Sequence, residues 1–79
     1  MKKSADNRRN LIGPRLREIR SKQHPPVSLE DLAGRLAARG LQLDRSAIGR
    51  IENQKRYVLD FELVALAHSL RVTVLDLLQ

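Results

Sequence analysis

A chain of 79 residues is one small domain, too short for a two-layer multidomain enzyme and short enough that close helical packing or dimerisation would help its stability. No cysteine, no Trp, one Phe and one Tyr exclude disulfides, thiolate nucleophiles and zinc fingers, and leave an aliphatic, alanine-rich core that favours helices. The net charge of +6 is uneven, with eight Lys/Arg against two acids in residues 1–27, six against four in 28–59 and one against three in 60–79. Such a gradient suggests a polyanion-binding face opposite a face free to meet another protein, with ordinary solubility charge as the plainer alternative.

Residues 1–10, MKKSADNRRN, carry almost no apolar side chains and are expected to form a flexible basic arm ahead of a domain spanning 11–79. A basic arm can touch phosphates or a minor groove when DNA is present, although an idle tail is the default. Lys2 and Lys3 are followed by no apolar run, and no stretch approaches the roughly 20 apolar residues of a membrane span. The absence of cysteine is compatible with a reducing cytoplasm, which is the expected setting.

The first helix is predicted from about Leu11 or Pro14 to Lys22. Ile12, Leu16 and Ile19 form its apolar stripe, and Pro14 lies in the first turn, where a missing N–H is tolerated. His24-Pro25-Pro26 ends it. A second helix follows from Leu29 to about Arg39, capped by Ser28 with Asp31 three residues on, and Leu32, Ala33 and Leu36 face inward. Gly40 then occupies a left-handed helix-ending position, and Leu41 and Leu43 are read as core plugs.

Asp44 can cap a third helix beginning at Arg45. Ala47, Ile48 and Ile51 recur on one face, whereas Arg45, Ser46, Gly49 and Arg50 fall on the other, which is short, polar and free of carboxylates. Arginine can pair bidentately with O6 and N7 of guanine, so this outer face suits a DNA major groove. A solvated amphipathic helix with ordinary arginines is the alternative. Beyond it lie Lys55 and Arg56 in a basic turn. A fourth helix is expected from an Asp60 cap, in which Phe61, Val64, Leu66 or Ala67, and Leu70 recur with helical spacing. Thr73 caps a short fifth helix with Leu75 and Leu78 inward and Leu77 spare. The fold class is therefore all-α, with five short helices.

The pieces SLEDLAGRLAARG, DRSAIGRIENQKRY and LRVTVLDLL together resemble the phage repressor and Cro type of helix-turn-helix domain, the XRE-like family, over roughly residues 11–78. That resemblance implies a lambda-repressor-like fold in which the third helix reads the major groove and the second crosses the backbone. It places Arg45, Ser46, Gly49 and Arg50 as base-facing and Ser28, Lys55 and Arg56 as phosphate contacts. It also pairs Arg20 with Glu52 in a structural role. Gly49 has no side chain to read with, and Leu29 stands where the family often has a glutamine. The turn between the second and third helices is longer than in the shortest members, and Gln54 and Arg71 stand where glycine is usual.

The function this implies is that of a sequence-specific double-stranded DNA-binding regulator, a repressor working as a homodimer through its C-terminal helices. An adaptor or antitoxin-like protein-binding module on the same fold is the competing class. His24, His68, the capping aspartates and Ser46 form no catalytic or metal-binding pattern, so neither enzyme chemistry nor a cofactor is expected.

Overall fold

In the computed structural model, which describes residues 7–79, the chain is all-α: α1 (Gly13–Lys22), α2 (Leu29–Ala38), α3 (Arg45–Glu52), α4 (Asp60–Ser69) and α5 (Val74–Leu78). No strand occurs among the described residues. Three of the helices start where a short polar side chain meets a free backbone N–H. Ser28 Oγ accepts from the Asp31 amide at 3.0 Å, Asp44 Oδ1 from Ala47 at 2.8 Å, and Thr73 Oγ1 from Asp76 at 3.0 Å. At Ser28 and Thr73 the aspartate carboxylate returns the bond to the cap's own amide, closing a capping box.

Helix ends are equally explicit. Gly40, Gln54 and Arg71 have φ of 84°, 61° and 59°, and each follows the last residue of α2, α3 or α4 by two positions. Their amides and those of the next residues bond back onto the final turn, as in Lys55 to Arg50 at 2.8 Å and Val72 to Ala67 at 3.0 Å. Left-handed backbone at Gln54 and Arg71 costs of order 1 kcal/mol each relative to glycine. The core outweighs it. Eight side chains, Leu16, Leu32, Leu36, Ile48, Ile51, Leu66, Leu70 and Leu77, are essentially inaccessible to solvent. Each buried Leu or Ile contributes roughly 1.5–3 kcal/mol.

This core is wholly aliphatic, because both aromatic rings, Tyr57 and Phe61, lie outside it. α3 packs on α1 and α2, α4 on α2 and α5, and α5 on α1. No helix among the described residues is long and apolar enough to cross a membrane.

Several expectations are corrected at the two ends. Asp60 does not cap α4. It is the first helical residue, and the preceding Leu59 amide is met by the Glu62 carboxylate at 3.0 Å. Phe61 and Val64 are exposed, and the inward face of α4 is Glu62, Leu66, Ala67, Ser69 and Leu70. In α5 the expected pattern is reversed, since Leu77 is buried while Leu75 and Leu78 are exposed. The expected arm over residues 1–10 falls for residues 1–6 outside the described residues. Its last two residues are bound to the domain: the Arg9 amide donates to Gln54 O at 3.1 Å, and Asn10 Nδ2 donates to Ile51 O at 3.0 Å and to Arg56 O at 2.8 Å.

Candidate functional site

At about 100° per residue, the eight residues of α3 divide cleanly around its axis. Ala47, Ile48, Ile51 and Glu52 span the buried side. Arg45, Gly49, Ser46 and Arg50 span the remaining arc in that angular order, with the two arginines at its edges, about 140° apart. Arg45, Ser46 and Arg50 are exposed and Gly49 is partly so.

One carboxylate holds the inner side. Glu52, its side chain 1% exposed, receives Arg20 through two parallel bonds, Nε to Oε2 at 2.8 Å and Nη2 to Oε1 at 2.9 Å. Such bidentate pairing fixes geometry as well as charge. Arg17 Nε adds a third contact at 3.2 Å, and Arg20 Nη1 also donates to Val27 O at 2.9 Å, tying in the segment before α2. The amide Nδ2 of Asn10 satisfies Ile51 O in the last turn of α3, and its Oδ1 accepts from Ile12 and Gly13 at the start of α1. One asparagine thus closes an end of both helices.

Close approach completes the junction. A Cβ on Gly13 would stand 2.4 Å from Ile51 O and 2.7 Å from Glu52 O, so only glycine lets α1 begin against the end of α3. At Gly49 the opposite holds, with nothing within 4 Å of where a Cβ would lie. The chain's own packing does not demand glycine there.

Outside, the arginines are lightly engaged or not at all. Arg45 Nη1 lies 3.7 Å from Glu30 Oε1 with both side chains largely exposed, a contact worth at most about 1 kcal/mol. No hydrogen bond or ion pair joins the side chain of Ser46, Arg50 or Lys55 to any other among the described residues. Ser28 is exposed beside the start of α2, and its oxygen is occupied as the cap acceptor while its hydroxyl proton is still available to an anion.

Arg56, expected among the phosphate contacts, is engaged within the chain. Its guanidinium pairs with Glu62 at 2.9 and 3.2 Å and donates to Tyr57 O at 2.9 Å, so it anchors α4 and does not stand out in solvent with Lys55. The Arg56 guanidinium in turn holds the Glu62 carboxyl below the usual glutamate range, against the opposing effect of burial and with help from the Leu59 amide.

The residues that sequence reasoning passed over are Asn10, Gly13, Arg17 and Glu62. Asn10 was visible as an asparagine three residues before Gly13-Pro14, a spacing that suits a helix cap. Gly13 and Arg17 gave no such local signal. Comparison with known proteins adds nothing to this geometry: no family model, no curated protein and no solved structure matches the chain.

Proposed function

We propose that the chain is a sequence-specific double-stranded DNA-binding protein, a transcriptional repressor of the phage repressor and Cro type, reading the major groove with α3. The observation that carries this reading is the division of α3. Its inner side is locked by Glu52, Arg20 and Asn10, and its outer arc presents two guanidiniums, a hydroxyl and a glycine without a buried partner. Arg45 and Arg50 would supply bidentate contacts to guanine, Ser46 a hydroxyl able to donate or accept, and Gly49 room for the edge of a base. Lys55 and Ser28 would hold the backbone on either side and set the register. Arg56, held by Glu62, would add its charge to the same turn.

Reading by one short helix covers only a few base pairs. A two-fold dimer on half-sites roughly 34–36 Å apart is therefore the working form. Leu75 and Leu78, 65% and 46% exposed, and not the buried Leu77, offer the apolar contact at the C-terminal end. The setting for such a protein is the cytoplasm.

A second reading, a protein-binding adaptor, is favoured by one observation: Leu59, Phe61 and Val64 stand exposed around the start of α4. Titration of random and selected duplexes over several salt concentrations, beside pull-down from lysate, separates the two. Salt-sensitive duplex binding with a preferred sequence supports the repressor. Its absence, with a protein captured through Phe61, supports the adaptor.

A further inference from the structure

We infer that the C-terminal ends of α2 and α4 together form a binding site for the phosphate end of a small, multiply charged molecule, apart from the surface that α3 presents. Arg35, Ala38, Arg39, His68, Ser69 and Arg71 line an open concavity of about 410 Å³, and no carboxylate is among them. Arg35 and Arg39 are four residues apart at the end of α2, His68 lies in the last turn of α4, and Arg71 follows that helix. Three guanidiniums thus meet one hollow from two elements. Arg39 lies about 16 Å along the α2 axis from the Ser28 cap, at 1.5 Å per residue.

Cations near helix C-termini also complement the negative end of the helix dipole, which is the plainer use of these side chains. Arg35 serves it, donating from Nη1 to Ser69 O at 2.9 Å. Other terminal carbonyls are met by backbone amides: Leu36 O by Arg39 and Leu41, Ala37 O by Gly40, Ala67 O by Val72 and His68 O by Arg71. The side chains of Arg39 and Arg71 are therefore not needed as caps. Arg39 Nη1 lies 3.4 Å from His68 Nδ1, a long contact that leaves the rest of its fork exposed. No ion pair joins Arg35, Arg39 or Arg71 to a carboxylate among the described residues, and the exposed Arg71 guanidinium makes no hydrogen bond there.

Ser69 adds a second observation. It is 6% exposed, and its hydroxyl oxygen is buried with no hydrogen-bond partner among the described residues. A buried hydroxyl left unpaired is unfavourable, and an oxyanion entering between the arginines offers it an acceptor. Guanidinium forks match the oxygens of phosphate, and one phosphate group has enough of them to engage more than one arginine, whereas a carboxylate fills a single fork. Because the concavity is open, it encloses the charged end alone and leaves the remainder of the molecule in solvent. Three cations favour a ligand with several negative charges, a diphosphate or triphosphate, over a singly charged one.

Calorimetric titration of the full chain with inorganic pyrophosphate, and separately with adenosine 5′-triphosphate, in phosphate-free buffer at low salt tests the site. Both probes should bind. Arg39→Gln/Arg71→Gln should weaken each at least about tenfold, as loss of charge-assisted bonds does. Arg35 is left in place because it bonds the end of α4. Arg39→Lys/Arg71→Lys should keep part of the binding, which loss of folding would not allow, and Arg45→Gln/Arg50→Gln, which removes the same charge from α3, should leave pyrophosphate binding unchanged. Tighter binding of pyrophosphate would make an inorganic phosphate the ligand, and tighter binding of the triphosphate an organic one; either supports the site. A wild-type chain that binds neither probe, or equal losses in the two glutamine variants, overturns it. So does a salt slope of duplex binding that falls by about 1.8 in Arg39→Gln/Arg71→Gln, which would put DNA in the concavity. Failure on either probe leaves base preference through Arg50 untouched, so the reading of α3 stands or falls separately.

Discussion

The two sides of α3 use the same residue type in opposite ways. On the inner side Arg20 is bound to a buried carboxylate and to the Val27 carbonyl, and every contact it makes is within the chain. On the outer side Arg50 makes no such contact among the described residues, and Arg45 has only a distant, solvated glutamate. The difference teaches where each arginine acts. Inside, charge is matched at short range and sets the position of α3 against α1; outside, it is unmatched at short range among the described residues, and the proposed reading assigns it to DNA.

Removing the inner match should have the largest effect. Glu52→Ala strands Arg20 in a partly buried site and should destabilise the fold by about 3–5 kcal/mol, lowering Tm by at least about 12 °C in thermal unfolding followed by circular dichroism. An unchanged Tm would mean that α1 and α3 are held by apolar packing alone. Gly13→Ala comes next. Its methyl group meets two carbonyl oxygens, and the backbones must part at a cost of roughly 1–3 kcal/mol by urea unfolding.

Smaller still is the acid sensitivity of the second carboxylate junction. Glu62 is held below the usual glutamate range by Arg56, so its pair contributes fully above that range. The contribution is lost as pH falls from about 4.3 through the lower value that the fold imposes. Stability measured against pH should decline over that interval in the wild type and less steeply in Glu62→Gln. Arg71→Gly relieves a φ of 59° but loosens the unfolded chain, so urea unfolding should show a gain below about 1 kcal/mol. On the outer side, Arg45→Gln and Arg50→Gln should each leave stability within about 0.5 kcal/mol. A larger loss from either would erase the contrast between the two faces.

Much of this frame was legible in the residues. Ser28, Asp44 and Thr73 announce their helices because a short oxygen-bearing side chain ahead of an apolar stripe has few other uses, and Ala47, Ile48 and Ile51 define a side of α3 without ambiguity. The face of α4 was not legible. Its sequence DFELVALAHS is apolar almost all round, so periodicity selects no side, and the choice falls to Glu62, which turns inward to meet Arg56 and the Leu59 amide. In α5 a single turn of VLDLL is too short for a stripe, and packing against α1 and α4 decides that Leu77 enters. The pairing of Arg56 with Glu62 was hidden for the same reason: Glu62 lies on an element whose orientation the local pattern does not fix.

The central claim is that the outer arc of α3 discriminates among bases while Lys55 only holds the backbone. Selection of duplexes from a random pool, followed by titration of the wild type, Arg50→Ala and Lys55→Ala against the selected duplex and single-base variants, tests it most directly. Arg50→Ala should relax preference at one base position by about 1–3 kcal/mol, whereas Lys55→Ala should weaken every duplex alike and reduce the salt slope by about one. Equal losses on selected and random DNA for both substitutions would contradict it.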